Sequence, residues 1–98
     1  MRKIAFHSEA EGEIIEAAKY YETRSSGLGL SFIAEIQIAI EQIVSNPQTY
    51  EIVGEDIHRK LLKRFPYSLL YSIESDRILI IAIAHHNKRR PNYWRSRI

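Results

Sequence analysis

The segment Ile78-Leu79-Ile80-Ile81-Ala82-Ile83-Ala84 constrains the fold of this chain more than any other. As a strand it is apolar on both alternating faces, so it has to be covered on both sides and belongs in the middle of a sheet. The strand is expected to run from Arg77 to His86. Ser75-Asp76 before it has the length of a two-residue hairpin connection, which ties it to the segment Tyr67–Glu74. There Tyr67, Leu69, Tyr71 and Ile73 alternate onto one face. Ile57–Arg64 reads as a further strand. Pro91 ends any ladder, and Tyr93–Arg97 reads as a single helical turn.

The first half reads differently. Arg2–His7 has strand character, with Ile4 and Phe6 on one face. Ser8-x-x-Glu11 has the form of a capping box, so a helix is expected to begin at Ser8. Glu9, Glu11 and Glu13 suit the positive end of its dipole. Ala10, Ile14, Ala17, Ala18 and Tyr21 recur at helical spacing, and Gly12 weakens the helix while allowing close packing. A turn is expected over Ser25-Ser26-Gly27-Leu28-Gly29. A second helix then spans Leu30 to Val44, with Phe32, Ile33, Ile36, Ala39, Ile40, Ile43 and Val44 as its apolar stripe. Ile38 falls off this stripe and reads as a lone exposed apolar residue. Asn46-Pro47 stops the helix, and Gln48–Asp56 reads as an irregular acidic segment. The order β-α-α-β-β-β predicts a single α+β domain over residues 1–98. A helical hairpin packs on one face of a small, mostly antiparallel sheet, and the other face is left for function.

At 98 residues and 45% apolar composition the chain has the size and content of one globular domain, not of a disordered segment. It holds no run of about 18 or more apolar residues, so no membrane span is expected. Its N-terminal residues lack the apolar core of a signal peptide. Cysteine is absent, which excludes disulfides and thiolate metal sites. The expectation is a cytoplasmic protein with no metal and no cofactor. The net charge of +2 hides an asymmetry: residues 1–56 carry a net −6 and residues 57–98 a net +8. That division predicts an acidic surface and a basic one, able to steer an anionic partner to one side.

The basic charge gathers in the tail after the apolar run, which holds His85, His86, Lys88, Arg89, Arg90, Tyr93, Trp94, Arg95 and Arg97. A second cluster, His58, Arg59, Lys60, Lys63 and Arg64, lies on the expected strand Ile57–Arg64. Strand alternation places Arg59 with Leu61 and Lys63 on one face, and His58 with Lys60, Leu62 and Arg64 on the other. His85 and His86 likewise point in opposite directions, so only one of them faces a given site.

Several pieces together resemble the RelE/ParE superfamily of type II toxins. They are Arg64-Phe65-Pro66-Tyr67 and the tyrosine-bearing strand after it, Ile83-Ala84-His85-His86, and Arg89-x-Pro91-x-Tyr93-Trp94. Upstream, Ala17-x-x-Tyr20-Tyr21-Glu22, Gly27-Leu28-Gly29 and Asn46-Pro47 fit the same pattern. The resemblance implies a growth-inhibiting toxin silenced by a cognate antitoxin in a hetero-oligomer. RelE-like members cut mRNA on the ribosome without metal, whereas ParE-like members inhibit DNA gyrase and need no catalytic residue. The Pro-x-Tyr-Trp tail looks closer to ParE-like and plasmid-stabilisation members, so gyrase is the expected target and mRNA cleavage the alternative. A member that has lost toxicity and only binds antitoxin is a third reading. Cleavage would need a proton carrier, for which imidazole is suited near neutral pH, and cations around the phosphorane. His86, Arg89, Tyr93, Arg64 and Arg59 are the residues for those roles. Lys60, Lys63, Lys88, Arg90, Arg95 and Arg97 are the expected target-binding cations, and Trp94 the anchor of the tail.

Overall fold

The computed structural model describes residues 2–98. Strand β1 (Lys3–Phe6) leads into helix α1 (Ser8–Arg24) and helix α2 (Leu28–Ser45). Strands β2 (Ile52–Gly54), β3 (Ile57–Leu61), β4 (Tyr67–Ile73) and β5 (Arg77–His85) follow, then a short 3₁₀ helix at Tyr93–Arg97. The sheet has five strands in the order β1-β5-β4-β3-β2, with β1 parallel to β5 and the other pairs antiparallel. The α+β class, the helical hairpin and an interior position for β5, between β1 and β4, are as the sequence predicts, while the middle strand of the five is β4. Strand β2 is an addition: three residues of the segment expected to be irregular pair with Ile57 and His58 at the sheet edge. So short a strand carries no periodic pattern of its own, and only its partner defines it.

Several local expectations are corrected. The cap of α1 is His7, not Ser8: its extended backbone ends β1, and its Nδ1 accepts from the Glu9 amide at 3.1 Å. The side chain that precedes the helix thus satisfies one of its N-terminal donors, the Glu9 amide, while the Glu11 amide that the capping box would have served bonds to the His7 carbonyl at 3.2 Å. Gly12 has open space beside it. The close packing belongs to Gly29 in α2, where an added Cβ would lie 2.5 Å from the Ala18 carbonyl oxygen of α1. Glu22 completes this joint by accepting from the Gly27 and Gly29 amides at 2.9 and 3.0 Å, so α1 caps α2. Gly27 turns the chain between the helices at a φ of 84°, a backbone region that suits glycine. Strand β3 stops at Leu61, and Lys63 and Arg64 lie in the connection to β4, where their amides are held by the Glu35 carboxylate of α2.

The main core lies between the helices and the sheet. Phe32, Ile36, Ala39 and Ile43 of α2 meet Ile78, Ile80 and Ile83 of β5, and Leu69 and Tyr71 of β4. By length and composition α2 is apolar enough to cross a bilayer, but here its stripe forms this core. Tyr21, Phe32, Phe65 and Tyr67 pack ring to ring with centroids 4.8–6.2 Å apart and weld the hairpin to the sheet. The opposite face is not open, as the sequence suggested. A second, smaller core of Ile57, Leu70, Ile81, Ala82 and Trp94 lies there, with Val53, Leu79, Ala84 and Tyr93 against it. The 3₁₀ helix folds back and covers part of the face.

One irregularity sets the orientation of everything after it. In the β4–β5 register Tyr71 stands opposite Ile80 and Leu70 opposite Ala82, so Ile81 is an extra residue in β5. Such a bulge turns the following side chains over. Ile78 and Ile80 face the helices, Ile81 and Ala82 both join the tail-side core, and Ile83 faces the helices again.

Candidate functional site

Strict alternation from Ile78 would put residue 86 on the helix side. The bulge instead sends His85 to the helix side, edge-on to Tyr67 at 4.9 Å, and His86 to the tail side. There His86 Nε2 lies 2.9 Å from the Ser68 hydroxyl, and its amide donates to the Pro66 carbonyl at 2.9 Å. Burial, with Lys88 and His86 nearby, holds the His85 imidazole below its usual range.

Two openings take up most of the expected site residues, with Lys88, Arg95 and Arg97 outside both. On the tail side a cleft of about 260 Å³ is bordered by Arg59, Ser68, His86, Arg89, Arg90 and Tyr93. A second groove, of about 330 Å³, runs between α2 and the end of β3, where Lys60, Lys63 and Arg64 stand beside Ile38 and Leu61. The structure therefore brings His86, Arg89, Tyr93 and Arg59 together and places Arg64 elsewhere. Lys60 lies over the Tyr50 ring and Lys88 over the Tyr20 ring, with ammonium groups 4.9 and 5.0 Å from the centroids. Ile38 is 53% exposed but not alone, because Leu61, 47% exposed, lines the same groove.

Most arginines are already engaged. Arg59 pairs with Glu51, Arg64 with Glu35 and Arg95 with Glu55. The acidic first half and basic second half thus neutralise each other across the fold and do not form two separate surfaces. Among the described residues, Lys60, Lys63, Lys88 and Arg90 have no carboxylate partner within ion-pair distance. His58, which the sequence grouped with the cations, is buried. Its Nδ1–H donates to the Tyr50 carbonyl at 2.7 Å, and its ring stacks on Tyr71.

The residue that organises the tail is Glu13, which the sequence marked only for its place in the first turns of α1. Its carboxylate accepts from Tyr93 Oη at 2.8 Å, from Arg97 Nη1 and Nη2 at 2.9 Å each, and from the Ile83 amide at 2.9 Å. Arg89 stands 3.5 Å away. Burial raises the affinity of this carboxyl for a proton. The bonds from Arg97, the Ile83 amide and Tyr93 outweigh that and hold it below the ordinary carboxylate range. Burial and the Glu13 bond together push the Tyr93 phenol far up, so it stays protonated as the donor. Arg97 also reaches Glu9 at 3.2 Å. Its side chain is only 6% exposed, and its Nη1 donates to the Ile81 carbonyl at 2.9 Å. The Arg97 guanidinium is therefore turned into the protein, while Trp94 sits in the second core. A signal for this site existed in the sequence, an acidic residue on α1 and an arginine-rich tail, but nothing there paired Glu13 with Arg97.

The comparisons agree with this architecture. No curated protein sequence matches the chain. A solved chain described as "Chromosomal ParDE TA system from P. aeruginosa" has a similar fold, with a TM-score of 0.63 at 15% identity over 87% of this chain and 96% of that one. The family model described as "ParE toxin of type II toxin-antitoxin system, parDE" matches residues 4–90. That match covers most of the chain, and this protein belongs to the ParE toxin family of type II toxin–antitoxin systems.

Proposed function

We propose that this ParE-family toxin arrests growth by binding DNA gyrase, with the docked tail as its recognition element. The observation that carries this reading is the way the tail is fixed. Trp94 and the Glu13 cluster hold it against the sheet, while Lys88, Arg89 and Arg90 remain exposed on the loop before the 3₁₀ helix. This arrangement suits contact with a surface: rigid, basic and in need of no proton transfer. The groove between α2 and β3 is the proposed seat of the antitoxin. Its apolar floor at Ile38 and Leu61, with Lys60, Lys63 and Arg64 at the rim, suits an acidic amphipathic segment that orders on binding.

A second reading rests on the tail-side cleft, where His86, Arg59, Arg89 and Arg90 meet. These are the groups a metal-independent cut in mRNA would use, with imidazole as proton carrier and guanidinium on the phosphate. Two assays on the purified chain separate the readings. Supercoiling by gyrase is expected to be blocked while mRNA on programmed ribosomes stays intact. Cuts in that mRNA, reduced by His86→Ala and accompanied by normal supercoiling, would overturn the gyrase reading in favour of the nuclease.

A further inference from the structure

We propose that Glu13 is the positioning residue for the toxin's tail: it holds Lys88, Arg89 and Arg90 in the orientation from which they meet the target. This rests on the reading of the tail as recognition element and goes beyond it by assigning the tail's geometry to a residue of α1.

The need for such a residue follows from the sheet. Strand β1 ends its pairing at Phe6 opposite Ile80, and the His7 amide makes the last backbone bond, to the Ile80 carbonyl at 2.9 Å. Strand β5 continues to His85. Its edge beyond Ile80 therefore has no strand beside it, and unpaired backbone groups there would be costly to bury. Glu13 and Arg97 take the place of the missing strand. The carboxylate accepts from the Ile83 amide and the guanidinium donates to the Ile81 carbonyl, both at 2.9 Å. The ion pair thus completes the sheet and joins three parts of the chain: α1, β5 and the 3₁₀ helix. Arg89 joins the same cluster, with its guanidinium carbon 4.1 Å from the Tyr93 ring centroid and Nη1 3.5 Å from Glu13. One carboxylate therefore orients both ends of the segment between Arg89 and Arg97.

Glu13→Gln keeps the size of the side chain and removes its charge. Four hydrogen bonds from Ile83, Tyr93 and Arg97 converge on the native carboxylate. The amide offers one acceptor oxygen and presents donors of its own to the rest. The apolar contacts of the 3₁₀ helix are with the smaller core, so once its bonds to Glu13 weaken it can undock and return Arg97 to water while the main core stays folded. The test combines amide hydrogen exchange on the full chain with growth after induced expression. For Glu13→Gln the Ile83 amide and the amides of residues 93–98 are expected to exchange about tenfold faster or more, with β4 amides unchanged. Growth arrest should be lost or strongly weakened at equal soluble yield. Tyr93→Phe, which removes one donor and keeps the ring, should move both readouts in the same direction by less. Glu11→Gln, one charge removed from the same helix, should move neither. Unchanged tail exchange in Glu13→Gln overturns the clamp. Faster exchange with undiminished arrest overturns its role in positioning. An unmodified chain that fails to arrest growth overturns the target reading, and with it the role in toxicity, while the exchange arm still decides whether Glu13 holds the tail.

Discussion

Single residues carry more of this structure than their sequence positions suggest. Glu13 looks like one of several helix-favouring acids in the first turns of α1, yet it is the acceptor for four bonds from β5 and the tail. Its lowered proton affinity fixes the sign of a pH effect. A carboxylate with a folded pKa below its unfolded value adds stability above the unfolded value of about 4.3 and loses it as pH falls through the folded one. The groups bonded to it are Arg97, Tyr93 and the Ile83 amide, with Arg89 beside them; Glu9 shares Arg97, and Glu16, His85 and Lys88 line the same opening. Trp94, the chain's single tryptophan, reports on the tail. Its fluorescence should stay constant from pH 8 to about 5 and shift toward that of exposed indole only in stronger acid. A transition centred near neutral pH would assign the tail's docking to a histidine instead. The residues behind the family resemblance also read differently in three dimensions. Phe65 and Tyr67 are parts of the aromatic weld, and Glu22 and Gly29 form the helix–helix joint. The features that identify the chain are in good part its scaffold.

At the scale of elements, the helical hairpin depends on close backbone approach. Gly29 lies over the Ala18 carbonyl, which is backbone and cannot swing aside, whereas Gly12 faces open space on an exposed turn of α1. The same substitution should therefore act with opposite sign at the two sites. Gly29→Ala is expected to lower stability by about 1–3 kcal/mol through overpacking. Gly12→Ala should raise it by about 0.5–1 kcal/mol, because alanine loses less conformational freedom in a helix. Urea denaturation of the two variants beside the unmodified chain checks both, and a gain at Gly29 would show that the helices can part without cost. The elements themselves were legible where a pattern ran long enough: α1, α2 and β4 follow from their apolar spacing, and β5 from an unbroken apolar run. Strand β2 was not, since its existence depends on β3 alongside it. The β5 bulge was equally hidden, because Ile81 and Ala82 are both apolar and suit either face.

The whole molecule turns its charge asymmetry inward. Arg59, Arg64, Arg89, Arg95 and Arg97 of the second half each meet a glutamate of the first. The exposed pairs among them are worth little individually; the Glu13–Arg97 pair is the buried one, at 10% and 6% side-chain exposure. What remains for partners is a smaller set of unpaired cations and the apolar groove between α2 and β3. Ile38→Asp tests the groove. The side chain is half in solvent, so stability should change by no more than about 0.5 kcal/mol. The acid placed among an apolar floor should weaken capture of the cognate antitoxin in a co-expression pull-down. Full capture with Ile38→Asp would move the antitoxin's seat off this groove.

The sequence by itself determined the order of every element but β2, the interior place of β5 and the α+β design with its helical hairpin on one face of the sheet. These rest on local period and on apolar content, which neighbouring residues share and a linear reading detects. The tertiary structure alone decided which histidine faces the tail, which cations stay unpaired and what fixes the tail in place. Each of those depends on residues far apart in the chain. One inserted residue in β5 inverts His85 and His86, and Glu13 meets Arg97 only because β1 stops short of the end of β5. A sheet edge left without a strand has to be satisfied by something, and the fold brings in the tail to do it.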